Sequence, residues 1–492
     1  MNFARIALAI ALVFAANTGQ SETERRADAA AIGAENHPQI LARFGGEISD
    51  AALRDYVAQV AEKIVAVSDQ PEADWQFTVL DSAQVNAFAL PGGYVYVTRG
   101  LLALAGDEAE LAAVLAHEVV HVTQSHVEAR MDAQADDNTG EMVGNLLGNL
   151  LGGMLSGNES PLSDAVRDTV QTAIGGRMEF SREQEFEADE LSIPLLIAAG
   201  YDPIAAPDFL SAMRDQHALI ARLAGRGYNP SQVPFFADHP APDDRIAKAA
   251  EIAGAVRFVV APDRGLERYL AAIDGMIFGD SPAQGYVRGR AFFHAELGFS
   301  FMVPEGFSIT NTARAVRARG PNGAYLIMDG GRDDGSDLRN YISRQWVAAL
   351  RSPGQPPLRA RRVRQLTING LEAAQTMVTR RVRGHRENLT LTAIRLNGSI
   401  YRFMAASPRG QDAAQNAMQD AVETFSALDA DTATQLQPYF LTSHVVGQAD
   451  SLATLLASAP DYDEAVAWFA VLNGQAEGEL PPIGTAVKVI RY

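Results

Sequence analysis

His117-Glu118-Val119-Val120-His121 puts two histidines four residues apart, which on a helix share one face and can hold one metal ion. Glu118 between them is then positioned to act as the base toward a metal-bound water. Asp107 and Glu110 form a capping-box pair upstream, and Leu111 to Val127 contains neither Gly nor Pro. Apolar Leu111, Val114, Leu115, Val119 and Val122 recur at helical spacing, so the pattern predicts one helix carrying the whole motif.

A catalytic zinc needs a third protein ligand and one open position. The chain has no cysteine, so a carboxylate or a further histidine must supply it. A second helix is expected from Ser181 to Ala199, with Pro194 inside it and Gly200-Tyr201-Asp202-Pro203 stopping it. Glu185 on this helix is the first candidate. Asp189, one turn later, could accept a hydrogen bond from the far nitrogen of a ligand histidine. At this level Glu187 and His126 compete with Glu185 for the ligand role. Otherwise His126, His217, His294, His385 and His444 stand isolated in the sequence, with no motif around them.

Bulk composition bounds the rest. A chain of 492 residues with 47% apolar content predicts about three domains, each with its own core. A net charge of -19 argues against a general nucleic-acid binder. Arg5, the apolar run Ile6 to Ala16 and the small residues after it predict a cleavable secretory signal over residues 1–20. No other apolar run reaches 18 residues, so no transmembrane segment is expected in the mature chain. A secreted chain without cysteine fits a bacterial periplasm.

Along the chain, a helix (Ala51 to Val67) and a strand (Trp75 to Leu80) precede Asn86 to Gly93, which reads as a tight apolar turn leading into the strand Tyr94 to Thr98. That strand is expected to be an edge beside the metal helix, with Asn86, Gly93, Tyr94 and Val95 binding an extended substrate. Asp132 to Gly176 is a Gly-, Asn- and Ser-rich insertion, and a helix follows from Asp243 to Ala255. Residues 256–290 read as a connector. Residues 291–428 read as an α+β domain, with an arginine-rich run between Arg359 and Arg386.

The motifs taken together resemble a known family, the gluzincin metallopeptidases of family 48, which includes HtpX-like and BepA-like enzymes. The resemblance covers roughly residues 37–255. It rests on Asn86 to Gly93, Gly100-Leu101-Leu102, His117 to His121, Ser181-Arg182-Glu183-Gln184-Glu185-Phe186-Glu187-Ala188-Asp189, and His239-Pro240 with Arg245. It implies His117, His121 and Glu185 as ligands of one Zn2+ per chain, Asp189 as the support of a ligand histidine, and His239 over the zinc, as oxyanion donor or plug. Arg245, like Asp189, is expected around the ligands, and it is also the second choice for the oxyanion. Residues 436–492 resemble a LysM-type βααβ module, although Gly447-Gln448-Ala449-Asp450-Ser451 departs from the usual opening turn.

The expected architecture is α+β and multidomain: a signal peptide (1–20), a mainly helical zincin peptidase domain with a small edge sheet (21–255), a connector, an α+β domain, and the LysM-like module. The expected function is that of a periplasmic zinc endopeptidase acting on unfolded or misassembled envelope proteins, with peptidoglycan as a further partner through the C-terminal module. The alternative is a chaperone-like or scaffolding envelope protein with a latent site.

Overall fold

The computed structural model describes residues 22–127, 182–223, 242–256, 262–350, 358–382, 385–407, 412–457 and 465–492. The expected signal segment, the 132–176 insertion and His239 lie outside them. The architecture is α+β and multidomain, with four sheets among the described residues.

Near the N-terminus, strands β1 (Gln76–Leu80), β2 (Ala87–Leu90) and β3 (Tyr94–Thr98) form one sheet in the order β1-β3-β2, with β1 parallel and β2 antiparallel to β3. Side chains alternate between the two faces. Ala87, Ala89, Val95 and Val97 enter the main core, shared with helices α2 (Ala51–Val65) and α4 (Glu108–Thr123). Tyr94, Tyr96 and Leu90 face the other way, onto Ile40 of helix α1 (Glu22–Phe44). The sheet is thus covered on both faces.

Two strand expectations need correction. The stretch expected to be a tight turn contains β2 itself, and only Pro91 to Gly93 turn the chain. The strand expected at the edge, β3, is the central one, so the backbones of Tyr94 and Val95 are paired on both sides and cannot receive a substrate strand. Sequence alternation reports which face a side chain takes, not which strand lies in the middle. Gly93 (φ +87) serves the turn: a Cβ there would come within 2.7 Å of the Asp74 carbonyl oxygen.

Helix α3 (Arg99–Leu104) follows β3 directly, with the Thr98 side chain capping it, and three residues separate it from α4. Helices α5 (Arg182–Ala198), α6 (Ala205–Leu223), α7 (Pro242–Gly254) and α8 (Leu266–Ile273) complete the helical part.

The C-terminal segment shows the βααβ order, with β5 (Tyr439–Val445), α9 (Leu452–Leu456), α10 (Ala465–Leu472) and β6 (Ala486–Arg491). It does not stand apart. Its sheet runs β6-β5-β4, and β4 (Met276–Phe278) comes from the stretch expected to be a connector. Tyr439, Leu441, Leu472 and Ile490 belong to the same core as Leu101 and the apolar face of α4. Between the two ends of this unit, seven antiparallel strands pack on both faces. One face is covered by the helical stretch 338–349 with Trp346, the other by the four-stranded sheet and the helix Asp412–Glu423. Arg359, Arg361, Arg362 and Arg364 are exposed at its outer strand, Arg364–Ile368, and just before it. No helix among the described residues is long and apolar enough to cross a membrane.

Lys488 of β6 makes a buried link between tail and helical part. Its buried ammonium donates to the carbonyl oxygens of Ala103, Leu104 and Ala105 at 2.9, 3.0 and 2.8 Å, closing the C-terminal end of α3. Burial pushes Lys488 down to about 8, against the pull of the Glu110 and Asp107 carboxylates. Lys488→Met leaves these carbonyls buried without their donor. It is expected to cost about 1–3 kcal/mol, read from urea unfolding at pH 7. A variant as stable as the parent would refute the link.

Candidate metal centre

Helix α4 starts where Asp107 accepts from the Glu110 amide (3.0 Å) and Glu110 reaches back to the Gly106 amide (2.8 Å). The reach-back falls one residue before the one a capping box uses. From this anchored start α4 runs unbroken through His117, Glu118 and His121, all at most 6% exposed. The two Nε2 atoms lie 3.0 Å apart, as two ligands converging on one point require.

The third donor comes from α5, whose buried face carries Glu185, Ala188, Asp189, Ser192, Ile193 and Leu196 at helical spacing. Glu185 oxygens lie 3.3 Å from His121 Nε2 and 3.6 Å from His117 Nε2. One ligand atom from each of His117, His121 and Glu185 falls within 4.8 Å of the others, and all three residues are buried. Two imidazoles and a carboxylate form a donor set that suits Zn2+. Glu187 projects outward, with its side chain 53% exposed, which removes it from competition for the ligand position.

Asp189 lies 3.1 Å from His117 Nδ1, so that nitrogen donates to the carboxylate and Nε2 is the atom a metal would take, in exchange for any proton there. Burial alone would lower His117, but hydrogen bonds with Asp189 and Glu185 outweigh it and raise the ring to about 9. The same carboxylates attract a divalent cation. Burial alone would raise Asp189, and the Arg245 guanidinium brings it to about 2 instead.

Arg245 of α7 is fully enclosed, at 1% exposure. Its Nε and Nη2 each reach an Asp189 oxygen at 2.7 Å, and Nη1 lies 2.8 Å from Glu185. A guanidinium engaged with both carboxylates from behind the ligands is a support for them. That engagement turns Arg245 to the carboxylates, where it was expected around the ligands, and away from its second-choice role as an oxyanion donor. His239, the first choice for that task, lies outside the described residues.

Sequence reasoning missed the place of His126, which it treated as a rival ligand or an isolated residue. It is 4% exposed, and its Nδ1 lies 3.1 Å from His121 Nδ1, behind the metal-facing nitrogen. Of the expected substrate contacts, Asn86 pairs through its carbonyl with the Thr98 amide (3.0 Å), while Gly93, Tyr94 and Val95 are committed to the turn and the central strand.

Residues 51–253 match the family model described as Peptidase family M48. Relatives include the beta-barrel assembly-enhancing protease of Escherichia coli, 32% identical over 215 residues that make up 43% of this chain and 41% of that protein. The protein of the same name from Yersinia pestis is 31% identical over 204 residues, 41% of this chain and 39% of that protein. The mitochondrial metalloendopeptidase OMA1 of Schizosaccharomyces pombe is 30% identical over 196 residues, 40% of this chain and 52% of that protein. The match thus spans about half or less of the length of each of these relatives. The matched region contains both histidines, the glutamate between them, Glu185, Asp189 and Arg245. Residues 51–253, which carry the candidate metal centre, are thus similar to peptidase family M48.

Proposed function

We propose that this protein is a zinc-dependent endopeptidase. The observation that carries the reading is the buried triad His117, His121 and Glu185 with Glu118 on the same helix. A zinc ion held by the triad would polarise a peptide carbonyl and acidify a water. Glu118 is placed to take the proton of the water whose oxygen bonds to the carbonyl carbon, and to hand that proton to the amine that leaves as the C–N bond breaks. Asp189 and Arg245 keep His117 and Glu185 in the geometry that binding requires.

An extended substrate fits β2 better than β3. Among the described residues β2 is an edge of its sheet, next to α4. Asn86 is hydrogen-bonded to Thr98, so alternation turns the N–H and C=O of Ala87 and Ala89 to the free side. Their small side chains face the core, and pairing there needs only main chain from the substrate. That suits segments without native structure, consistent with substrates that are unfolded or misassembled.

The names of the bacterial relatives support envelope proteins in assembly as those substrates. The apolar run Ile6 to Ala16 and the absence of cysteine support a periplasmic site of action. For the C-terminal module, the buried Lys488 link favours a brace for the peptidase core over a reader of peptidoglycan.

The test is a time course of digestion of an unfolded protein by the purified chain. Cleavage that stops with a zinc chelator and returns with added zinc is expected. A zinc-loaded chain that leaves the unfolded protein intact would overturn the proposal.

A further inference from the structure

On a helix continuing past α4, His126 would sit about 140° around the axis from His121, too far for the rings to meet. The helix stops instead at Gln124, and Ser125 adopts a left-handed conformation (φ +53). This single reversal folds His126 back against His121, with ring centroids 5.1 Å apart and planes at 69°. On its other side His126 Nε2 lies 3.4 Å from a Glu187 oxygen on α5.

We propose that His126 is a positioning residue for the metal ligand His121, with Glu187 setting its tautomer. The chemistry follows from the proton count. With Nε2 of His121 directed at the metal point, its ring proton must sit on Nδ1. The facing atom, His126 Nδ1, must then be the acceptor in the 3.1 Å contact. That leaves the proton of His126 on Nε2, the atom facing Glu187. A carboxylate, a neutral histidine and a ligand histidine thus form one line ending at the metal point. The two ligand histidines are held differently: His117 by the buried, ionised Asp189, His121 by a neutral imidazole.

The inference rests on the metal-site reading above, and failure of that reading would show separately, as a parent chain that binds no zinc. Zinc affinity is measured by competition with a chromophoric chelator for the parent, His126→Leu and His126→Asn. Leu and Asn have nearly the same shape, but only Asn offers an oxygen where Nδ1 stood. His126→Leu is expected to bind zinc about 10–100-fold more weakly, and His126→Asn to recover most of that loss. Equal affinity of the two variants would assign His126 to packing alone and overturn the proposal. A second measurement needs no variant. The long-range nitrogen–proton NMR spectrum of the zinc-loaded parent, labelled at its nine histidines, is expected to show His126 neutral with its proton on Nε2. A proton on Nδ1 would overturn the proposal equally.

Discussion

Glu118→Gln is expected to lower kcat on an unfolded protein substrate by about 10²–10⁴-fold, with zinc content and KM close to those of the parent. Glu118 is buried at 1% exposure on the same helix as both histidines, so a near-isosteric amide keeps the packing while removing the proton acceptor. The change leaves the three metal donors untouched. Steady-state kinetics beside metal analysis of both proteins checks the prediction. A variant retaining more than about a tenth of parental kcat would contradict Glu118 as the base.

Arg245→Leu is expected to have the largest effect on stability. The substitution removes the positive charge between Glu185 and Asp189, both buried, and leaves two carboxylates in a low-dielectric interior. Breaking a buried pair in this way costs about 3–5 kcal/mol. Zinc should offset part of that loss, because a dication bound by Glu185 supplies charge where the guanidinium is gone. The expected pattern is a large stability loss with a chelator present and a smaller one at saturating zinc, read from urea unfolding followed at α-helical wavelengths. Equal losses under both conditions would mean that Arg245 acts through packing and not through charge.

The two predictions divide the site by how far its parts could be read in the chain. His117, Glu118 and His121 are fixed by local geometry, since 3.6 residues per turn puts the histidines on one face whatever surrounds the helix. Asp189 relative to Glu185 follows the same rule, one turn apart on α5. Arg245 is sequence-distant, 56 residues beyond Asp189, and its position behind both carboxylates comes only from the packing of α7 against α5. His126 is near in sequence but hidden for another reason. Its approach to His121 depends on one left-handed residue that is serine, a type whose backbone sign no pattern announces.

The same division holds for the fold. Alternation and turn residues marked the strands 76–80 and 94–98 to within a residue. The central place of β3, the union of β4 with the C-terminal strands and the seat of Lys488 on α3 were not legible. Each joins segments far apart in the chain, and hydrophobic period carries no information on which distant partner a face will meet.

By itself, then, the sequence determined the chemistry available to this protein: two histidines and an intervening glutamate on one helix, a carboxylate pair on another, and no thiol to compete for metal. Spacing left the facing carboxylate open between Glu185 and Glu187, and tertiary structure alone decided that Arg245 bridges Glu185 and Asp189, that His126 stands behind His121, and which strand keeps a free edge. Local spacing is set by backbone geometry that every residue shares, whereas these choices depend on long-range packing, where burying one face of a helix or sheet excludes the alternatives.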